Sequence, residues 1–450
     1  MRGARIAVVG GGLAGIAAAL ECADGGAEVT LYEARRRLGG ATFSVERKGH
    51  WVDNGQHVTL RCCVFYRDFL RRIGTEHLIA MQPRLRIPVL REGKPPAWIE
   101  RGHAPAPLHL VSSLMSYAPL NRRERIAAVR AAAALRRLDP NDLRLDRFTF
   151  GEWLRARGQS QRAVDALWNL ITLPTLNVDA DDASLAQAVQ VFRTGLLDAN
   201  DACDIGVAAV PLQQLHGDAA AVALDDAGVR VLIGMPVRGI DREPGGVRIS
   251  LDDGPDTAHA AIVAVPHYAA GELLPPGVVE TDALDELGTS PIVNIHVHYD
   301  RRVLAEPLAA ALGSPVQWLF DRTASAGIET GQLVVVSLSG ADDEIGEPVD
   351  TLRDRYLSAL ARLLPAARDA EVLDFMVTRE PKATFRAGPG TRALRPPQRT
   401  DVPGLYLAGA WTDTGWPATM EGAVRSGLAA ARAALDDLAV GVRAPEEAVA

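Results

Sequence analysis

Cysteine is scarce in this chain of 450 residues. Only Cys22, Cys62, Cys63 and Cys203 are present, and none forms a CxxC pair. That argues against a thiolate zinc site. A disulfide between neighbours such as Cys62 and Cys63 is strained and rare, so the cysteines read as reduced thiols of a cytoplasmic protein. Excess basic charge is lacking too: 48 Lys and Arg stand against 56 Asp and Glu, a formal net charge of −8. With no dense basic run to offset it, no nucleic-acid partner is expected. The arginines of Arg122-Arg123-Glu124-Arg125 read as a solvated helix face. No uncharged apolar run reaches the ~18 residues needed to span a bilayer. His296 and His298 alternate on one strand face without further ligands nearby, so no metal is expected.

What is present is an ordinary globular composition, 48% hydrophobic and 23% charged, with length enough for two or three domains. Arg5 to Val9 is a short apolar strand, Leu13 to Ala23 has helical periodicity, and Glu28 to Tyr32 alternates as a second strand. That is a βαβ unit in about thirty residues. Its turn is Gly10-Gly11-Gly12-Leu13-Ala14-Gly15. Gly10 allows the tight turn, Gly12 lets the backbone approach a pyrophosphate, and Gly15 lets the helix pack on the sheet. The free N–H groups around Leu13 and Ala14 then face phosphate. Glu33, closing the second strand, is placed to accept hydrogen bonds from ribose hydroxyls. The same glycines interrupt what would otherwise pass for a signal peptide. The motif alone leaves NAD and FAD both open.

Further along, the middle from about Ile73 to Asp204 reads mostly helical. Strands return at Val229 to Ile233, Val237 to Asp241 and Val247 to Leu251, then at Ala261 to Val265, Ile292 to Tyr299 and Leu333 to Leu338. Thr351 to Leu364 reads as an amphipathic helix. Leu405 to Ala408 is a last strand and Glu421 to Leu435 a last helix. Residues 437–450 read as a frayed tail. Between strand and helix lies Gly409-Ala410-Trp411-Thr412-Asp413-Thr414-Gly415-Trp416-Pro417-Ala418-Thr419-Met420, a tight loop leading into a helix start. Such a start carries roughly +0.5 charge.

Glu33-Ala34-Arg35-Arg36-Arg37-Leu38-Gly39-Gly40 resembles the extended FAD fingerprint of the amine oxidase and phytoene desaturase superfamily. The resemblance selects FAD over NAD. It implies contacts from Glu33, Ala34, Arg35, Gly39 and Gly40. An Arg usually follows the paired glycines; Ala41 stands there, so Arg35 or Arg37 is expected to substitute. The resemblance also puts a backbone group of Val237 on adenine, and Gly409, Trp416, Thr419 and Met420 around the flavin. The acid many relatives carry after the strand's glycine is replaced by Ala410. Asp53-Asn54-Gly55-Gln56-His57 falls where relatives line the flavin, which names Gly55, Gln56 and His57. His57 reads either as a proton donor or as a polar neighbour of the cofactor.

Asn54-Gly55-Gln56-His57, Arg61-Cys62-Cys63, Tyr66, Leu173-Pro174-Thr175-Leu176-Asn177 and Trp411 to Gly427 together resemble the hydroxysqualene dehydroxylase family within that superfamily. What this implies is an α/β fold: a Rossmann-like FAD-binding domain with a second, mixed α+β substrate domain. The FAD domain would be assembled from 1–74, 206–285 and 385–436, and the substrate domain from 75–205 and 286–384. It also implies a C30 isoprenoid alcohol as substrate, an external electron donor, and hydride transfer from reduced flavin to an allylic cation in bacterial squalene and hopanoid synthesis. Such a substrate calls for contact with the inner face of the plasma membrane. The apolar stretch Pro107 to Tyr117 reads either as that contact or as a buried core helix. A carotenoid-type desaturase, an amine oxidase and a non-catalytic flavin-bound lipid carrier are the competing readings.

Overall fold

The computed structural model describes residues 3–443, the side chains of 440–443 excepted. A parallel five-stranded sheet runs in the order Arg230–Ile233, Glu28–Glu33, Arg5–Val9, Ala260–Val263, Leu405–Leu407. Three distant parts of the chain thus meet in one sheet. Both of its faces are covered, so its strands are apolar on both sides. Ile6, Val8, Leu31 and Ile262 face the first helix, Leu13–Asp24, and the last, Met420–Arg443. Ala7, Val9, Ala261 and Val263 face a second core that reaches Trp153, Trp168 and Phe192.

The first and last helices run parallel and touch closely. A Cβ on Gly427 would lie 2.1 Å from the Ala14 carbonyl oxygen, and a Cβ on Gly25 would lie 2.6 Å from Leu435. Ala14 is near the start of one helix and Gly427 two turns into the other. The last helix therefore begins roughly six residues, or about 9 Å, further out along the same direction.

A seven-stranded sheet forms the other layer, in the order Val372–Thr384, Ser290–Tyr299, Gln332–Ser339, Trp318–Asp321, Leu308–Ala311, Arg86–Arg91, Lys94–Glu100. Val293, Ile295 and Val297 pack with Leu352, Tyr356 and Leu360 of the helix Val349–Leu363. The alternate residues Asn294 and His296 point the other way and pair across to Thr378 and Met376. Helices dominate residues 111–197, two of them opened by capping boxes, Asn121 with Glu124 and Thr149 with Glu152.

Four sequence expectations are corrected. The stretch after Ile73 is not mostly helical at its start: Ile79–Met81, Arg86–Arg91 and Lys94–Glu100 are strands. Pro88 hides the second of these and Pro95 and Pro96 the third, because proline lowers a strand reading; the first is only three residues long. The strand expected from Val237 starts at Gly239. Residues 437–443 are helix, and Asp437 is anchored by the Tyr406 hydroxyl at 2.7 Å and by Arg399 at 3.1 Å; residues 444–450 of the expected tail lie outside the described residues. The stretch Pro107 to Tyr117 is not one buried core helix but a short turn, Leu108–Leu110, and a helix, Val111–Ser116, with one side in and one side out: His109 and Tyr117 are buried and Leu110 and Leu114 pack on the core, while Leu108 is 59% exposed.

Candidate functional site: a glycine cradle between two helix starts

The glycine turn and the paired glycines approach each other. Gly10 has φ +110°, and a Cβ there would meet the Ala264 carbonyl oxygen at 2.5 Å. Gly40 has φ +58°, and a Cβ there would sit 2.7 Å from the Gly12 Cα. Gly12 bridges Gly39, and the Gly39 N–H donates to the Gly11 carbonyl at 2.9 Å. Any side chain would push these two loops apart. At the first helix start, the earliest N–H bonded within the protein is that of Ile16, to Gly12. The N–H groups of Leu13, Ala14 and Gly15 are left over.

Glu33 sits beside the cradle, 7% exposed. Its carboxylate accepts the Gly11 N–H and the Arg35 N–H, both at 2.7 Å, one on each oxygen. Each oxygen keeps a lone pair for another donor. The Gly234 and Met235 N–H groups bond to the Arg35 and Glu33 carbonyls at 2.9 Å, which brings Val237 near the same spot. Ala34 and Arg35 are exposed there. Arg37 is the inward arginine: it donates to the Gly40 carbonyl at 3.0 Å and lies 3.5 Å over the Phe43 ring, and burial lowers its pKa.

The second helix start is held by Thr419, whose hydroxyl accepts the Gly422 N–H at 3.1 Å. The N–H groups of Met420 and Glu421 have no protein acceptor among the described residues. Gly409, at φ +141°, ends the strand and donates to Ser426 at 2.7 Å. Two anion-favouring helix starts thus belong to neighbouring parallel helices, offset along their shared direction.

Residues 13–435 match the family model described as flavin containing amine oxidoreductase. The chain belongs to that family. It is a flavin-dependent oxidoreductase. The hydroxysqualene dehydroxylase of Sinorhizobium fredii is 28% identical over 440 residues, covering 96% of this chain and 98% of that protein. The one from Rhodopseudomonas palustris is 29% identical over 447 residues, covering 94% and 96%. The zeta-carotene desaturase of Synechocystis is 25% identical over 475 residues, covering 96% and 97%. An oxidoreductase from Methanosarcina mazei has the same fold, with a TM-score of 0.74 at 16% identity, covering 94% of this chain and 99% of that one.

In this flavoenzyme the segment expected to line the flavin joins the cradle to the seven-stranded sheet. Asn54 donates from its amide to the Ala41 carbonyl at 2.9 Å and to Glu380 at 3.0 Å. Its own carbonyl accepts from Thr378 at 3.0 Å and from Asn294 at 3.3 Å. Gly55 is buried; Gln56 and His57 are partly exposed. His57 Nδ1 lies 3.2 Å from the Gly55 carbonyl, and burial lowers its pKa. A neutral ring must donate from Nδ1 there, which leaves Nε2 as an acceptor. As it stands, His57 can take a proton but has none to give from Nε2. His216, with burial pulling its pKa to about 3, faces the Tyr66 hydroxyl at 2.7 Å.

Sequence reasoning missed several residues that hold this site. Arg395 donates to the carbonyls of Ala410, Trp411 and Thr412 at 3.1, 3.3 and 2.6 Å, and burial brings its pKa to about 10. It fixes the loop that leads into the last helix. Glu421 accepts the Tyr66 N–H at 2.7 Å and pairs with Arg425 at 2.7 Å, tying the helix Val64–Arg72 to the last helix. Arg425 lies between the Phe65 and Trp416 rings, at 4.2 and 4.8 Å. Trp411 is core, its indole N–H donating to the Val265 carbonyl at 2.9 Å. Asp413 caps its own turn at the Gly415 N–H, 3.2 Å away. A lone charged residue inside an apolar or Gly/Pro-rich stretch is the only trace these positions leave in sequence.

Proposed function

We propose that this flavoenzyme binds FAD non-covalently and converts hydroxysqualene to squalene and water. The observation that carries the substrate is the end-to-end likeness to two hydroxysqualene dehydroxylases. FAD fits the residues present. The leftover N–H groups of Leu13 to Gly15 suit a pyrophosphate, the spare lone pairs of Glu33 suit ribose hydroxyls, and the backbone at Val237 suits adenine. Gly39 and Gly40 leave room for the nucleotide, and Arg37 supplies the cation that Ala41 lacks. Gly55, Gln56, His57, Gly409, Trp416, Thr419 and Met420 would surround the flavin ring. When bound and reduced, FAD supplies the hydride that replaces the substrate hydroxyl.

The chain's own residues supply binding, dryness and charge. The free N–H groups of Met420 and Glu421 favour negative charge on a group set against them. Asn54 and Arg395 fix the two loops that face it. Residues 1–74, 206–285 and 385–436 are assigned to the FAD domain, and 75–205 with 286–384 to the substrate domain. No helix among the described residues is long and apolar enough to cross a membrane. A C30 hydrocarbon collects in membranes, and the exposed Leu108 and Met115 support a contact of the stretch Pro107 to Tyr117 with the cytoplasmic membrane face, its other side being packed on the core through His109 and Tyr117.

The test is the direction of electron flow. The enzyme, reduced anaerobically and mixed with hydroxysqualene, should regain the visible spectrum of oxidised flavin. Squalene should appear one-for-one. The likeness to a zeta-carotene desaturase supports the second reading, an oxidative one. That reading gains if squalene is absent and the oxidised enzyme instead bleaches on adding zeta-carotene. An amine oxidase reading would want an aromatic cage, and the buried, hydrogen-bonded Trp411 is not free to build one. A lipid carrier would leave the flavin redox state unchanged on binding substrate.

A further inference from the structure

Removing a hydroxyl from an allylic carbon needs an acid, because hydroxide is a poor leaving group. Four carboxyls surround the cradle and the Asn54–His57 segment, and three are committed. Asp53 accepts from Ser44, Leu212 and Arg322 at 2.6, 3.2 and 2.9 Å. Glu33 accepts two backbone N–H groups. Glu421 is taken by Arg425 and the Tyr66 N–H. Both oxygens of each of these three are engaged by donors within the protein. The fourth, Glu380, is different. Its Oε1 accepts the Asn54 amide N–H at 3.0 Å, while its Oε2 has no protein partner among the described residues and is not buried. It lies on the strand Val372–Thr384 two residues beyond Thr378, hence on the face that turns toward Asn54.

We propose that Glu380 is the acid that protonates the departing hydroxyl. This rests on the dehydroxylase reading above. Asn54 holds Oε1 as an acceptor, and the open Oε2 carries the proton. The charged and titratable groups facing it are Arg37, from the loop after Glu33, and His57. Arg37 is already engaged with the Gly40 carbonyl and the Phe43 ring. Lys382, on the same strand, has its ammonium over the Tyr268 ring at 4.2 Å. A C30 chain laid against Oε2 would strip water from it, which disfavours the charged form of a carboxyl and favours its taking a proton. Glu380 then passes that proton to the hydroxyl oxygen. The C–O bond breaks with its electron pair leaving on water, and FAD, when bound and reduced, would supply the hydride that the allylic carbon takes up. The carboxylate is left ionised when product departs and takes its next proton from solvent as the next substrate enters.

Glu380→Gln keeps the acceptor for Asn54 and removes the acid. Turnover of hydroxysqualene should fall about 10²- to 10⁴-fold, with flavin content unchanged. The acetate ester of the same alcohol needs no protonation to depart, and the variant should turn it over within about tenfold of the wild type. A readout free of turnover is proton uptake. Oxidised wild-type enzyme in weak buffer with an indicator dye should take up a proton on binding hydroxysqualene, and the variant should not. Equal loss with alcohol and ester, undiminished turnover of the alcohol, or equal proton uptake by the two proteins would each overturn the assignment while the dehydroxylase reading stands. A wild-type enzyme that, once reduced, leaves hydroxysqualene intact removes that reading and the assignment together.

Discussion

Arg322 donates to Asp53 at 2.9 Å with both side chains 8% exposed, so an ion pair from two distant parts of the chain is sealed inside the protein. Asp53 belongs to the segment that meets the glycine cradle, and Arg322 follows a strand of the seven-stranded sheet. Arg322 also donates to the Ala208 carbonyl at 2.7 Å. Removing one partner of a buried pair leaves an uncompensated charge, which costs about 3–5 kcal/mol. Arg322→Met should lower the stability of the holoenzyme by that amount in urea unfolding. Arg86→Met is the control: its pair with Glu100 is 48% and 40% exposed, and such pairs are worth about 0–1 kcal/mol. Similar losses in the two variants would show that Asp53 is satisfied without Arg322.

The contact between Gly427 and Ala14 sets how far one helix start stands beyond the other. A methyl group on Gly427 would meet a backbone carbonyl at 2.1 Å, and neither helix can yield without shifting. Gly427→Ala should therefore destabilise by about 3 kcal/mol and lower the flavin bound per protein. Gly346→Ala, where nothing lies within 4 Å of a Cβ, should change neither. Thermal melts and flavin-to-protein absorbance ratios check both.

The glycine cradle was legible in the sequence because its residues are local. Gly10, Gly12, Gly15 and Glu33 fall within a single βαβ unit, and spacing alone brings them together. The pairing of Arg5–Val9 with Ala260–Val263 joins residues more than 250 apart, and Ala260–Val263 pairs in turn with Leu405–Leu407. Periodicity shows that such strands exist but not which ones pair. The strands Arg86–Arg91 and Lys94–Glu100 were lost because three prolines mask them. Arg322, Arg395 and Glu421 were invisible for another reason. Each is charged and buried, and only the fold reveals that its partners are a distant carboxylate, three loop carbonyls and the N–H of a helix start. The choice between Arg35 and Arg37 likewise needed the Phe43 ring, which fixes the side chain of one and not the other.

That choice is testable. A hydrogen bond to a charged group contributes about 1.5–3 kcal/mol, or roughly 10- to 100-fold in affinity. Arg37→Ala should weaken FAD binding by that factor, and Arg35→Ala should change it by less than about threefold. Glu33→Ala should match Arg37→Ala, losing the ribose and loosening the Gly11 turn at once. Flavin fluorescence on dilution measures all three. Equal effects at positions 35 and 37 would mean that the arginines act only through diffuse charge.

The buried histidines give stability a pH dependence of definite sign. Burial pulls His216 from its ordinary 6.5 to about 3 and His296 to about 4, and lowers His57 as well. In the unfolded chain all three protonate as pH falls below about 6.5. In the folded chain they stay neutral to lower pH. Between those limits the unfolded state binds more protons, so stability is full above 6.5 and drains as pH falls toward 4. Each histidine contributes up to about 1.4 kcal/mol per pH unit in that window. Between pH 6.5 and 5 few unfolded carboxylates have begun to titrate, which isolates the histidine contribution. Urea midpoints of the wild type should fall steadily across that interval. His216→Gln loses the Tyr66 contact at 2.7 Å and starts from a lower stability, yet its slope should be shallower by one histidine's share, and His216→Gln with His296→Gln shallower by two. Slopes unchanged in both variants would mean that the two rings protonate in the folded protein as easily as in water, and that water reaches them inside the core.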